Sequence, residues 1–134
     1  MQLSYVGDMN LDQYRSGACN IGPAEIRARR VFGLASFVVA AVLAVVLLAL
    51  DAPGAWRWVV ALPMIGGFVG IIQAQTRFCA NYGLRGLASF GELGDAERVV
   101  DAAARAADRR KALQIFGASL VLGIVATLPI VLLP

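Results

Sequence analysis

Histidine is absent from this 134-residue chain, and cysteine occurs only twice, at Cys19 and Cys79. Without histidine the sequence lacks the usual haem ligand, the commonest metal ligand and the commonest general base. The two cysteines, 60 positions apart, form neither a CxxC pair nor a zinc-type spacing. No metal or other cofactor is therefore expected. No Gly-rich nucleotide motif and no Ser/His/Asp set is present. Charge is also scarce. Asp, Glu, Lys and Arg make up 16% of the residues, against about 25% in soluble domains.

What is abundant is apolar. The hydrophobic fraction is 59%, the mean hydropathy is +0.71, and the charges are segregated from three uninterrupted stretches. Val31–Leu50 and Trp58–Thr76 carry no charge, and neither does the run from Ala112 to about Leu133. A hydrocarbon core of about 30 Å needs about 20 helical residues, so each stretch can span it. Backbone polar groups in lipid must be satisfied internally, which makes each span a helix. The sequence thus predicts an all-α membrane protein: a helical hairpin plus a third transmembrane helix, with membrane lipid as its solvent. The run before span one is too long for a cleaved leader, so that span is expected to be retained.

Eleven of the twelve basic residues fall on one side when the spans alternate. Arg15, Arg27, Arg29 and Arg30 precede span one, and Arg77 to Lys111 follow span two, whereas the 51–57 loop holds only Arg57. By the positive-inside rule that side is cytoplasmic, which places the N-terminus inside and the C-terminus outside a bacterial inner membrane. The net charge of +3 reflects this topology, and no nucleic-acid partner is expected.

Residues 1–19 read as a polar N-terminal segment, 20–86 as the hairpin and 87–134 as a cytoplasmic helix over 95–111 followed by the third span. Gly22-Pro23 marks a helix start, with Glu25 in the positive first turn. Arg27, Arg29, Arg30 and Arg77 are expected at lipid headgroups. Ser36, Ala40 and Ala44 recur every four residues, as do Gly66, Gly70 and Ala74, and such small-residue ridges let membrane helices approach closely. Pro63 should kink span two, and Pro129 should bend or end span three near its outer end. Asp95 suits a helix N-cap, and Asp101/Arg105 and Arg105/Asp108 have ion-pair spacings. The 95–111 helix could lie on the membrane or run straight into span three.

The hairpin brings Cys19 and Cys79 to one membrane face. They are candidate thiols for a pair or a single reactive sulfur, set against two unrelated structural cysteines in a reducing compartment.

Asn20, Gly22, Glu25, Arg29 and Gly33 resemble the opening of a large family of short bacterial inner-membrane domains of unknown function. That family shows Asn-Val-Gly, an acidic residue three positions on, an arginine pair and a glycine early in span one. It closes with a cysteine after span two, a tyrosine three positions later and a glycine, as at Cys79, Tyr82 and Gly86. The resemblance covers about residues 19–86. Ile26 stands where arginine is usual and Ala80 where proline is, and the third span lies outside the pattern. The resemblance implies a dimerising two-helix anchor of the kind fused to rhodanese-type sulfurtransferases, and with it an interest in Cys79. Three functions are then in view. One is a non-enzymatic scaffold or accessory subunit, as a homo-oligomer or part of a membrane complex. Another is thiol chemistry through Cys79 and Cys19. The third is a small-solute transporter or channel.

Overall fold

The computed structural model describes residues 14–91, 94 and 96–134. The first thirteen residues and the expected N-cap at Asp95 lie outside the described residues. The elements in order are α1 (Pro23–Ala49), α2 (Gly54–Arg57), α3 (Ala61–Thr76), α4 (Ala80–Arg85), two short strands β1 (Leu87–Ala88) and β2 (Glu97–Arg98), and α5 (Ala102–Leu132). A 3-10 turn, Trp58–Val60, joins α2 to α3. Three helical stretches are long and apolar enough to cross a membrane: Pro23–Ala49, Gly54–Thr76 and Ala102–Leu132. Their apolar side chains are turned outward; Val45 is 66% exposed and Leu62 73%. Rows of exposed valine and leucine suit lipid, since water would charge about 25 cal/mol for every Å² left uncovered.

Helix α3 is the middle layer, packed on α1 on one side and α5 on the other. The α1/α3 seam is closest at Gly33 and Gly70. A β-carbon on Gly70 would lie 2.6 Å from the backbone of Gly33, so two glycines are what permit this crossing. Ala40, Ala44 and Ala74 are buried along the same seam, and a β-carbon on Gly66 would touch Ser36 Oγ at 3.4 Å. Without a hydrophobic drive in lipid, such close backbone approach supplies the packing attraction. Toward the 51–57 loop, Val60 joins Ala40 and Ala44 in a small core. At the opposite end Phe78, Ala80, Ala112 and Ile115 form another.

Pro63 lies in the first turn of α3. The irregularity falls one turn earlier, in the 3-10 turn Trp58–Val60, because proline lacks the N–H that would bond Val59 and its ring crowds that carbonyl. Helix α5 runs through Pro129 to Leu132.

The helix expected over 95–111 begins instead at Ala102, and it continues into the third span without a break. The reason is local. Asp101 is the N-cap, its carboxylate accepting from Ala104 N–H at 2.9 Å. The preceding Glu97–Arg98 pairs antiparallel with Leu87–Ala88. Val99, which would face lipid if a 95–111 helix lay on the membrane, is fully buried against Ala88 and Ala104. Among the described residues neither expected ion pair forms on this helix: Arg105 donates to the carbonyls of Val99 (3.0 Å) and Val100 (2.7 Å). Bonds to the two carbonyls that follow β2 outweigh an exposed i,i+4 pair worth about 0.2–0.5 kcal/mol.

Candidate functional site

The sequence-predicted residues gather at one end of the bundle, where α1 starts and α3 stops. Helix α3 ends because Arg77 adopts a left-handed conformation (φ 57°, ψ 39°), its N–H capping Gln73. The chain then turns through Phe78 and Cys79 into α4, which stops at Gly86, also left-handed at φ +71°. Gln73 Oε1 holds this turn by accepting from Ala80 N–H at 2.7 Å.

Asn20 ties the start of α1 to that turn. Its Oδ1 accepts from Cys79 N–H at 2.7 Å and its Nδ2 donates to the Cys79 carbonyl at 3.2 Å. Its own N–H reaches Arg77 O, and its carbonyl accepts from Ser89 N–H. A fully buried asparagine with its amide and backbone bonded in this way costs little to bury and fixes one register. Gly22 N–H bonds Ser89 O at 2.8 Å, and a β-carbon at Gly22 would lie 2.9 Å from Phe90 O, so the close strand-like pairing excludes a side chain.

One turn into α1, Glu25 and Arg29 face inward. Glu25 is 1% exposed. Its Oε2 accepts from Gly94 N–H at 2.7 Å and from Tyr82 Oη at 3.0 Å. Its Oε1 stands 3.0 Å from Arg29 Nη2, a charge contact whose angle falls short of an aligned hydrogen bond. Arg29 Nη2 also lies 3.1 Å from Cys79 Sγ, and the guanidinium sits 5.7 Å from the centre of the Tyr82 ring. Arg29, expected at the headgroups, is thus turned inward by Glu25 and Cys79, whereas Arg27, Arg30 and Arg77 remain exposed. Burial raises the Tyr82 phenol above its ordinary value, and the hydrogen bond and charge of Glu25 add to that.

The two thiols lie at this same end but meet different partners. Cys79 is buried against Arg29. Cys19 is half-buried, closes a turn with Arg15, and has its sulfur 3.8 Å from Ile21 O. Burial pushes the Cys19 thiol up, with the Ile21 hydrogen bond, Arg77 and Arg15 pulling the other way. Cys79 thus meets Arg29 across the hairpin.

Sequence reasoning missed two elements. Asp108, on α5, is fully buried and accepts from Tyr14 Oη and Gly17 N–H, both at 2.6 Å, which pins the 14–19 turn against the bundle. Arg57, at the other end, is buried and donates to the carbonyls of Ala52 (2.9 Å), Ile130 (3.2 Å) and Leu133 (2.7 Å). For Arg57 the missed signal was an arginine between two tryptophans at the mouth of an apolar span, which requires a partner; Asp108, beside Arg109, Arg110 and Lys111, carries no such signal. Compared with known proteins, the chain matches no family model, no curated protein and no solved structure.

Proposed function

We propose that this chain is a small polytopic membrane scaffold or accessory subunit, oligomeric or part of a larger complex, with its arginine-rich end in the cytoplasm of a bacterial cell. The observation that carries the reading is how the motif residues are spent. Asn20, Gly22, Glu25, Arg29, Cys79 and Tyr82 bond one another or the backbone of the turn. A reacting group must meet its substrate, and Cys79 and Glu25 are each 1% exposed. Side chains committed in this way build a rigid cap that holds two helices in fixed register. The resemblance to the two-helix anchor family belongs to this proposal, since an anchor needs such a cap.

Native mass spectrometry in mild detergent, with cross-linking in membranes, tests it. The expected result is a stable oligomer or a stoichiometric partner. A strictly monomeric protein that co-purifies with nothing would sink the scaffold reading.

One contact favours a second reading, thiol chemistry at Cys79: Arg29 Nη2 lies 3.1 Å from Cys79 Sγ and brings a hydrogen-bond donor to the sulfur. On that reading Cys79 reacts with a small thiol reagent in native membranes, and Cys79→Ser removes the signal. Silence at Cys79 in intact membranes rejects it.

A further inference from the structure

Beside the clasp that Glu25, Arg29, Cys79 and Tyr82 form, at the start of α1, runs an open groove of about 830 Å³. Its lining includes four arginines from three segments: Arg15 in the 14–19 turn, Arg27 and Arg30 on α1, and Arg77 after α3, with Cys19 and Gln75 among them. Among the described residues, no carboxylate is part of that lining. Among the described residues no carboxylate pairs with Arg27, Arg30 or Arg77; the ion pairs there belong to Arg29 and Arg57. Guanidiniums gathered around one space repel one another, and an anion seated between them relieves that repulsion.

Arg77 supplies a separate observation. It holds φ at 57°, a region that glycine or asparagine enters readily and a long side chain does not. The backbone duties at this position are the cap to Gln73 and the acceptor for Asn20 N–H. Both use main-chain atoms that glycine would supply without strain. The backbone therefore gives no reason for arginine, but the groove does.

We infer that this groove is a binding site for a phosphate-type oxyanion, with Arg27, Arg30 and Arg77 as its ligands and Arg15 at its edge. The arginine fork donates paired N–H groups that match phosphate oxygens. The site lies where α1 begins and α3 ends, level with the boundary of the apolar spans. A phospholipid headgroup and a free phosphate present the same chemistry there. The lipid source rests on the membrane-embedded reading of the chain, and the free-anion source does not.

Cys19, in the same groove, provides a built-in reporter. The full chain in non-ionic detergent is treated with uncharged N-ethylmaleimide, and modification of Cys19 is followed by site-resolved mass spectrometry. In one arm inorganic phosphate is compared with chloride at matched ionic strength. In the other, phosphatidylcholine nanodiscs are compared with nanodiscs that also contain phosphatidylglycerol. Occupancy slows Cys19 modification several-fold. Protection by inorganic phosphate assigns a free anion; protection only by phosphatidylglycerol assigns a lipid headgroup. Arg77→Gly weakens that protection about tenfold, the loss of one charged hydrogen-bonding group, while the melting temperature holds or rises as the strain is relieved. Because Arg77 also acts on the Cys19 thiol, each variant is compared with its own ligand-free rate. Unchanged Cys19 rates in both arms overturn the inference. So does full protection in both Arg77→Gly and the double variant Arg27→Gln/Arg30→Gln. Oligomeric state plays no part in this readout, so its failure leaves the scaffold test standing.

Discussion

The two ends of the helix bundle each hold one arginine turned inward, and they use it differently. At the loop end, Arg57 donates to the carbonyls of Ala52, Ile130 and Leu133, closing the last turn of α5 through main-chain atoms. Its nearest carboxylate, Asp51, is 3.9 Å away and its side chain is 92% exposed, so that charge contact adds little. At the other end Arg29 meets the side chains of Glu25, Cys79 and Tyr82, which come from two separate segments. A carbonyl acceptor is available wherever a helix stops, and any chain that ends near an arginine can use it. A carboxylate, a thiol and a phenol brought together over more than fifty positions require particular residues. The loop end is therefore general helix closure, and the clasp end carries the sequence-specific information.

The largest break in that comparison is expected from Glu25→Ala. It strips the partner from Gly94 N–H and Tyr82 Oη and leaves Arg29 facing a buried thiol without its carboxylate. Removing one member of a buried charged pair costs about 3–5 kcal/mol. Unfolding in detergent should show that loss as a lower midpoint, with the 14–25 and 79–94 segments gaining hydrogen exchange first. A variant within 1 kcal/mol of wild type, by the same scale of about 3–5, would mean that the clasp is ornamental.

Arg57→Gln should cost less, about 2–3 kcal/mol, because the carbonyls it abandons lie at a helix end where water or headgroups can reach them. Exchange should rise at Ile130–Leu133 and Ala52 and stay unchanged at Asn20 and Cys79. Matching losses at both ends would erase the distinction drawn between them.

Legibility follows the same division. The helix start at Gly22-Pro23 is readable because a cap is local, and three spans are readable because lipid forbids charge over about 20 residues. Glu97–Arg98 is too short for any periodicity to mark it as a strand. Asp108 reads from sequence as the i,i+3 neighbour of Arg105, yet its partner Tyr14 is 94 positions away. Nothing local announces such a bond; only its burial does. Arg29 shows the same limit. Beside Arg27 and Arg30 it looks like one more headgroup cation, and what turns it inward is Glu25 one helical turn before and Cys79 across the hairpin. Arg57 enters a sequence reading only as the odd arginine on the wrong side of a topology count, although the fold gives it three carbonyls to close.

The smallest effect, and the one that sharpens the comparison most, belongs to Tyr82→Phe. The phenol donates to Glu25 Oε2 at 3.0 Å and is only partly buried, so its loss should cost about 0.5–1 kcal/mol at neutral pH. The pH dependence carries the specific signature. Burial, then the bond to Glu25, raise this phenol above its ordinary 10.0, so the folded state holds the proton more tightly than the unfolded chain does. Its contribution is thus complete below pH 10.0 and is lost as pH climbs through the higher folded value. Wild type should lose stability across that alkaline window, and Tyr82→Phe should lose less, so the two curves converge as pH rises. Cys19, raised above 9.0 by burial, titrates with the same sign from a lower pH, and a Cys19→Ser background separates the two. Parallel curves for wild type and Tyr82→Phe would show that the phenol does not feel Glu25. The loop end offers no counterpart: its closure runs through carbonyls that do not titrate, so Arg57→Gln should shift the whole curve down without changing its alkaline slope.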